Sequence, residues 1–201
     1  MKRIRFAPLV AGAVVLAAMT ATSLPLAAGD LHGKVTAKGV RDSADAVVYV
    51  AAIPGKTFPP PAEHAKMDQV NLAFHPHVAA VLVGTTVDFL NSDALLHNVY
   101  SPEACADKFN LGTWPKGQVR SFTFKKECAT VLLCKVHPEM EAFVVAVPTP
   151  FFAVTKADGS YTIADVPDGA YTVKVWHPKL KAAQRAVKVA GPTAADFEIV
   201  R

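Results

Sequence analysis

A cysteine, a histidine and a methionine fall within seven residues of this chain, in the segment Cys134-Lys-Val-His137-Pro-Glu-Met140. Thiolate, imidazole and thioether are soft or borderline-soft donors, and together they favour copper over hard cations. Two imidazoles and a thiolate, with a thioether as a weak axial donor, suit Cu(I) and Cu(II) about equally. Little then has to move when an electron arrives or leaves, which is what fast one-electron transfer requires. The second imidazole must come from elsewhere, and His97, in Asn91-Ser-Asp-Ala-Leu-Leu-His97-Asn98-Val99, is the best candidate. Taken singly, each of these residues is as readily a core or surface side chain; taken together they point to one metal. Structural zinc prefers Cys and His without Met, so Met140 argues against it.

The elements that must position these residues read as strands. Ala46–Ala52 is a short apolar, β-branched run; Ala80–Val83 and Thr85–Leu90 flank Gly84; Arg120–Phe124 alternates, with Phe122 and Phe124 on one face. Ala129–Leu133, Ala142–Val147, Tyr161–Ile163, Tyr171–Trp176 and Ala186–Val189 continue the pattern. Asp158-Gly159 and Asp168-Gly169 read as hairpin turns. Pro61–Asp68 offers at most one short helical turn, and His97 falls just past the strand ending at Leu90. Many short strands punctuated by Gly and Pro predict an all-β sandwich. Pro54–Pro61 and Pro148-Thr149-Pro150 look like boundaries. All three Cys lie between them, as do the two Met that follow the N-terminal segment.

Residues 1–28 read as a removable export signal: Lys2, Arg3 and Arg5, then a mostly apolar stretch from Phe6 to Ala21, then small residues through Ala28. An uncleaved anchor is the alternative. The apolar stretch is short for a membrane span. Three of the 21 Lys and Arg fall in this segment and none of the 17 acids does, so the remainder is nearly neutral. That balance leaves no electrostatic footprint for nucleic acid. An exported protein with three Cys suggests one disulfide and one thiol kept free.

Phe89-Leu-Asn-Ser-Asp, His97-Asn98-Val99 and Cys134-x-x-His137-Pro138-x-Met140 together resemble the cupredoxins, the small blue copper proteins. The tight ligand loop is most similar to that of amicyanin. The resemblance covers about residues 67–147 and implies a Greek-key β-sandwich with a single mononuclear type 1 copper. It implies His97 and His137 as imidazole ligands, Cys134 as equatorial thiolate and Met140 as axial ligand. It also implies Asn98 as an outer-shell brace and Pro138, with exposed apolar neighbours, at the electron entry point. A dinuclear centre is argued against by spacing: the strand between Cys128 and Cys134 sets them roughly 20 Å apart. A Cys105–Cys128 disulfide then leaves Cys134 free. His75 and His77 share a strand face and form a weaker secondary metal candidate, although Pro76 between them favours an edge or loop.

Thr155-Lys-Ala-Asp158-Gly159-Ser-Tyr161 and Val166-Pro167-Asp-Gly169-Ala-Tyr171 resemble a second family, the carboxypeptidase regulatory-like domain, a small transthyretin-like β-sandwich. Residues 29–66 and 148–201 would form that sandwich, with the copper module set between its second and third strands. The rival arrangement gives 29–66 to the cupredoxin sheet. Contact of Val48 with Val173 separates the first from the second, which needs Val48 on Val87. Functionally, it is the cupredoxin resemblance that implies a periplasmic electron carrier between redox partners such as a dehydrogenase and a c-type cytochrome. A copper carrier or chaperone is the alternative; such sites tend to be open and Met- or His-rich, whereas only Met67 and Met140 follow the signal. A copper oxidase would need further copper sites, and the missing His clusters argue against it, so no enzyme is expected.

Overall fold

The computed structural model describes residues 28–201; apart from Ala28, the expected export signal lies outside the described residues. The described chain is built from strands, with one short 3-10 turn at Ala104–Ala106 and no helix long and apolar enough to cross a membrane. The strands, numbered in chain order, form four sheets. The first sheet contains β1 (Ala28–Ala37), β13 (Ser160–Pro167), β16 (Thr193–Ala194) and β17 (Phe197–Ile199). The second has the order β12 (Phe152–Val154), β2 (Val47–Val50), β14 (Gly169–His177), β15 (Leu180–Val189). The third runs β5 (Val78–Leu82), β11 (Glu141–Val147), β10 (Cys128–Leu133), β7 (His97–Ser101), β8 (Phe109–Trp114). The fourth runs β4 (Ala73–His75), β3 (Ala65–Val70), β6 (Thr86–Leu90), β9 (Val119–Thr123).

These sheets stack in that order, with an apolar core in each gap. Leu31, Val48, Val50, Ile163, Val173 and Ile199 fill the first gap. Val47, Tyr49, Val78, Val145 and Val147 fill the second, with Phe143 and Trp176 against them. Met67, Phe89, Val99, Trp114, Leu132 and Val144 fill the third. The middle sheets are apolar on both faces, which is why β2 reads as the uninterrupted run Val47-Val-Tyr-Val50 and why every residue in it is buried.

The chain leaves the outer pair of sheets after β2 and returns to it at β12, where Phe152 pairs with Tyr49. The two crossings touch: Thr149 Oγ1 donates to Val50 O at 2.6 Å. β2 pairs with β14, with Val50 opposite Val173 and Val48 opposite Val175. Val48 and Val173 share the first core, whereas Val87 lies in the third.

Three expectations from the sequence need correction. Pro61–Asp68 is not a helical turn; β3 begins at Ala65 and pairs in parallel with β6, so the copper-module strands start before residue 67. Asp158-Gly159 and Asp168-Gly169 do not close two-stranded hairpins. β12 and β14 belong to the second sheet and β13 to the first, so both dipeptides turn the chain across the core. Gly159 has φ +80°, and a Cβ there would stand 2.2 Å from Val35 O, so the tight corner requires glycine. Finally, His97 opens a strand of its own, β7, rather than trailing β6.

Candidate metal centre

Period-2 alternation sets the cysteine. Along β10, Cys128, Thr130 and Leu132 point inward, and the same phase carries Cys134 into the third core, 3 % exposed. β7 lies beside β10, with Tyr100 opposite Leu133, and its first residue, His97, is fully buried. Between Cys134 and β11 the chain turns tightly, and Met140 N–H donates to His137 O at 3.1 Å. The result is one pole of the sandwich at which two separate stretches meet. His137 Nδ1 stands 3.0 Å from His97 Nδ1 and 3.9 Å from Cys134 Sγ. One donor atom from each of these three residues lies within 4.8 Å of the others. Met140 is 1 % exposed in the same apolar cluster as Cys134. His137 is half-buried and Pro138 exposed, so the ring of His137 is the part of the group nearest solvent.

A shell of hydrogen bonds surrounds this group. Asn98 N–H points at Cys134 Sγ at 3.4 Å. The Asn98 side chain donates to Gly112 O at 2.6 Å and to Asn110 Oδ1 at 2.8 Å, and it accepts from Lys135 N–H at 3.2 Å. One amide thus ties β7, β8 and the ligand loop together. Asp93 is a further member, one that residue types and spacing do not reveal. His97 Nε2 is paired with Asp93 Oδ2 at 2.8 Å. Burial acts to raise the Asp93 pKa, but the N–H groups of Leu72 and Asn71 and the His97 ring outweigh it and hold the carboxyl below its ordinary range. Asp93 stands four residues before His97 in the chain. Outside a helix that spacing is no contact signal, so nothing in the sequence singled it out.

The remaining chemistry-bearing residues lie elsewhere. Cys105 and Cys128 form a disulfide, with Cα atoms 5.8 Å apart, and Cys134 is free and buried. His77 Nδ1 pairs with Asp45 Oδ2 at 2.7 Å and His75 is exposed; neither joins a three-residue donor group among the described residues. His64 pairs with Asp88 at 2.9 Å. A groove of about 510 Å³ is lined by Phe58, Pro61, His64, Leu82 and Phe152 and contains none of the four candidate ligands.

No protein-family model and no curated protein matches this chain. Solved structures do. A reduced amicyanin variant is 25% identical with a TM-score of 0.40, over 43% of this chain and 84% of its own. A copper-containing nitrite reductase from Thermus scotoductus is 24% identical with a TM-score of 0.42, over 50% of this chain and 25% of its own. A purple cupredoxin from Nitrosopumilus maritimus is 22% identical with a TM-score of 0.37, over 41% of this chain and 98% of its own.

Proposed function

We propose that this chain is an exported copper protein of the cupredoxin type that carries single electrons in the periplasm and is not itself an enzyme. The observation that carries the proposal is the meeting of His97 Nδ1, His137 Nδ1 and Cys134 Sγ at one pole, with Met140 buried in the same cluster. This donor set is soft enough for copper and too sulfur-rich for hard cations. Held there by His97, Cys134, His137 and Met140, copper supplies a one-electron couple. The protein's part is to keep those side chains still. His97 opens β7 and Cys134 directly follows the neighbouring strand β10, and the Asn98 amide crosses from β7 to the loop after β10. The Asn98 N–H directed at Cys134 Sγ draws electron density from the sulfur, an outer-shell influence on its donor strength.

Export is supported by the basic and apolar segment before residue 28 and by the Cys105–Cys128 disulfide, which needs an oxidising compartment. Electrons would pass at the His137 edge. Leu95, Leu96 and Val136, exposed by 50%, 53% and 44%, flank the ligands in sequence and would supply an apolar rim to that face. An apolar rim fits a redox partner, a c-type cytochrome or a dehydrogenase, that docks briefly and without strong charge pairing. A metal-delivering carrier would need an open site, whereas three of these four residues are almost wholly buried.

Visible and electron paramagnetic resonance spectra of copper-loaded protein test the proposal. An intense Cu(II)–thiolate colour that bleaches reversibly on reduction, and that disappears in Cys134→Ser, is expected. A pale protein whose spectra ignore that substitution rejects it.

A further inference from the structure

The loop carrying His97 is held from a direction that metal binding alone does not explain. β3 and β4 form a hairpin whose tip residues, Asn71 and Leu72, have φ of 53° and 60°. Two successive residues in the left-handed region, neither of them glycine, are uncommon, and they present two consecutive N–H groups to one acceptor. That acceptor is Asp93: Asn71 N–H reaches its Oδ1 at 2.7 Å and Leu72 N–H its Oδ2 at 3.0 Å. The same Oδ2 is the partner of His97 Nε2. The grip is doubled next door. Ser92 N–H and Asp93 N–H donate to Gln69 O at 3.1 and 3.2 Å, and the Ser92 hydroxyl donates to Asp68 Oδ2 at 2.6 Å. Gln69, itself fully buried, donates to Leu90 O at 2.8 Å.

A carboxylate accepts and does not donate, so in the neutral imidazole the bond to Nε2 places the one ring proton there and leaves Nδ1 bare. Nδ1 is the nitrogen that faces His137. We propose that Asp93 is a positioning residue that fixes the tautomer and ring orientation of His97, and that the tip of the β3–β4 hairpin holds Asp93 in place to do so. The inference rests on the copper reading only for its functional consequence. A hairpin outside the ligand-bearing sheet then helps to set the electronic properties of the centre.

The test is nitrogen NMR of histidine-labelled, full-length protein at pH 8, first without metal. The wild type is expected to show His97 as a single Nε2–H tautomer. Asp93→Ala is expected to show both tautomers, and Asn71→Pro, which removes one tip N–H and forbids its positive φ, should move the same way. Leu72→Gly keeps the N–H and the backbone conformation and should leave the tautomer unchanged. In copper-loaded protein, Asp93→Ala removes a negative charge next to the oxidised site, so the reduction potential should rise, with Asp93→Asn between the two. A single Nε2–H tautomer retained in Asp93→Ala overturns the inference, whether or not Asn71→Pro folds. If the tautomers behave as expected but no coloured copper form is obtained, the copper reading fails and the positioning role stands.

Discussion

At the scale of residues, the centre depends on side chains that serve more than one segment. Asn98 bonds to β7's neighbour at Asn110 and Gly112 and to the ligand loop at Lys135. Each such bond contributes about 1 kcal/mol net, and buried partners left unpaired cost more. Asn98→Ala is therefore expected to lower stability by about 2–3 kcal/mol, measured by denaturant unfolding of the metal-free protein, and to broaden the copper spectra. The four candidate ligands were legible because their types are chemically unusual together and three of them are close in sequence. Asp93 was not, since an acid near a histidine is ordinary until the backbone brings Oδ2 to Nε2. The tip at Asn71 and Leu72 was equally hidden, because an asparagine tolerates a positive φ without requiring one and a leucine gives no sign of it.

At the scale of elements, the inward phase of β10 connects the free thiol at one end to the disulfide at the other. The bridge closes a loop between residues 23 apart and ties the 3-10 turn after β7 to the strand that delivers Cys134. Removing it as Cys105→Ser with Cys128→Ser is expected to cost about 2–4 kcal/mol. Calorimetry should show the lower melting temperature while the copper colour persists, since Cys128 lies at the far end of β10. Loss of colour in that variant would show that the bridge shapes the site directly. The strongly apolar strands β2, β6, β10, β11 and β14 were readable from alternation or from continuous apolar runs. β3 was missed because its inward positions are Met67 and the polar Gln69, buried through its bond to Leu90 O, and because three prolines precede it. β7 and β8 were missed for a related reason. His97, Asn98, Asn110 and Gly112 interrupt their pattern with residues chosen for the site rather than for a strand.

At the scale of the whole molecule, the second core makes the outer pair of sheets and the copper-module pair one stack. Phe143 lies between Trp176 at 5.4 Å and His77 at 5.8 Å, and the pairs Tyr49–Glu127 and His77–Asp45 cross the same junction. A junction this apolar is expected to unfold with the rest, so calorimetry should give one cooperative transition; two separated transitions would show that the halves are independent. The junction also carries a pH signature. Burial pushes the His177 imidazole below its ordinary 6.5, against the opposing pull of Asp45 and the Ala44 carbonyl. Between the folded and unfolded values the unfolded chain binds more protons, so this group destabilises the fold as pH falls below about 6.5. The melting temperature of the wild type should then fall more steeply than that of His177→Gln from about pH 7 to about pH 5. Equal slopes would remove His177 from the explanation. If a partner docks on the exposed Leu95, Leu96 and Val136, as proposed, electron exchange should depend weakly on salt, because charge pairing contributes little at an apolar face. All of this turns on a single ion position. An anomalous-difference map of copper-loaded crystals, collected on both sides of the copper absorption edge, is expected to show one peak bounded by His97 Nδ1, His137 Nδ1 and Cys134 Sγ. A peak elsewhere, or none at that pole in protein that has taken up copper, would contradict the account.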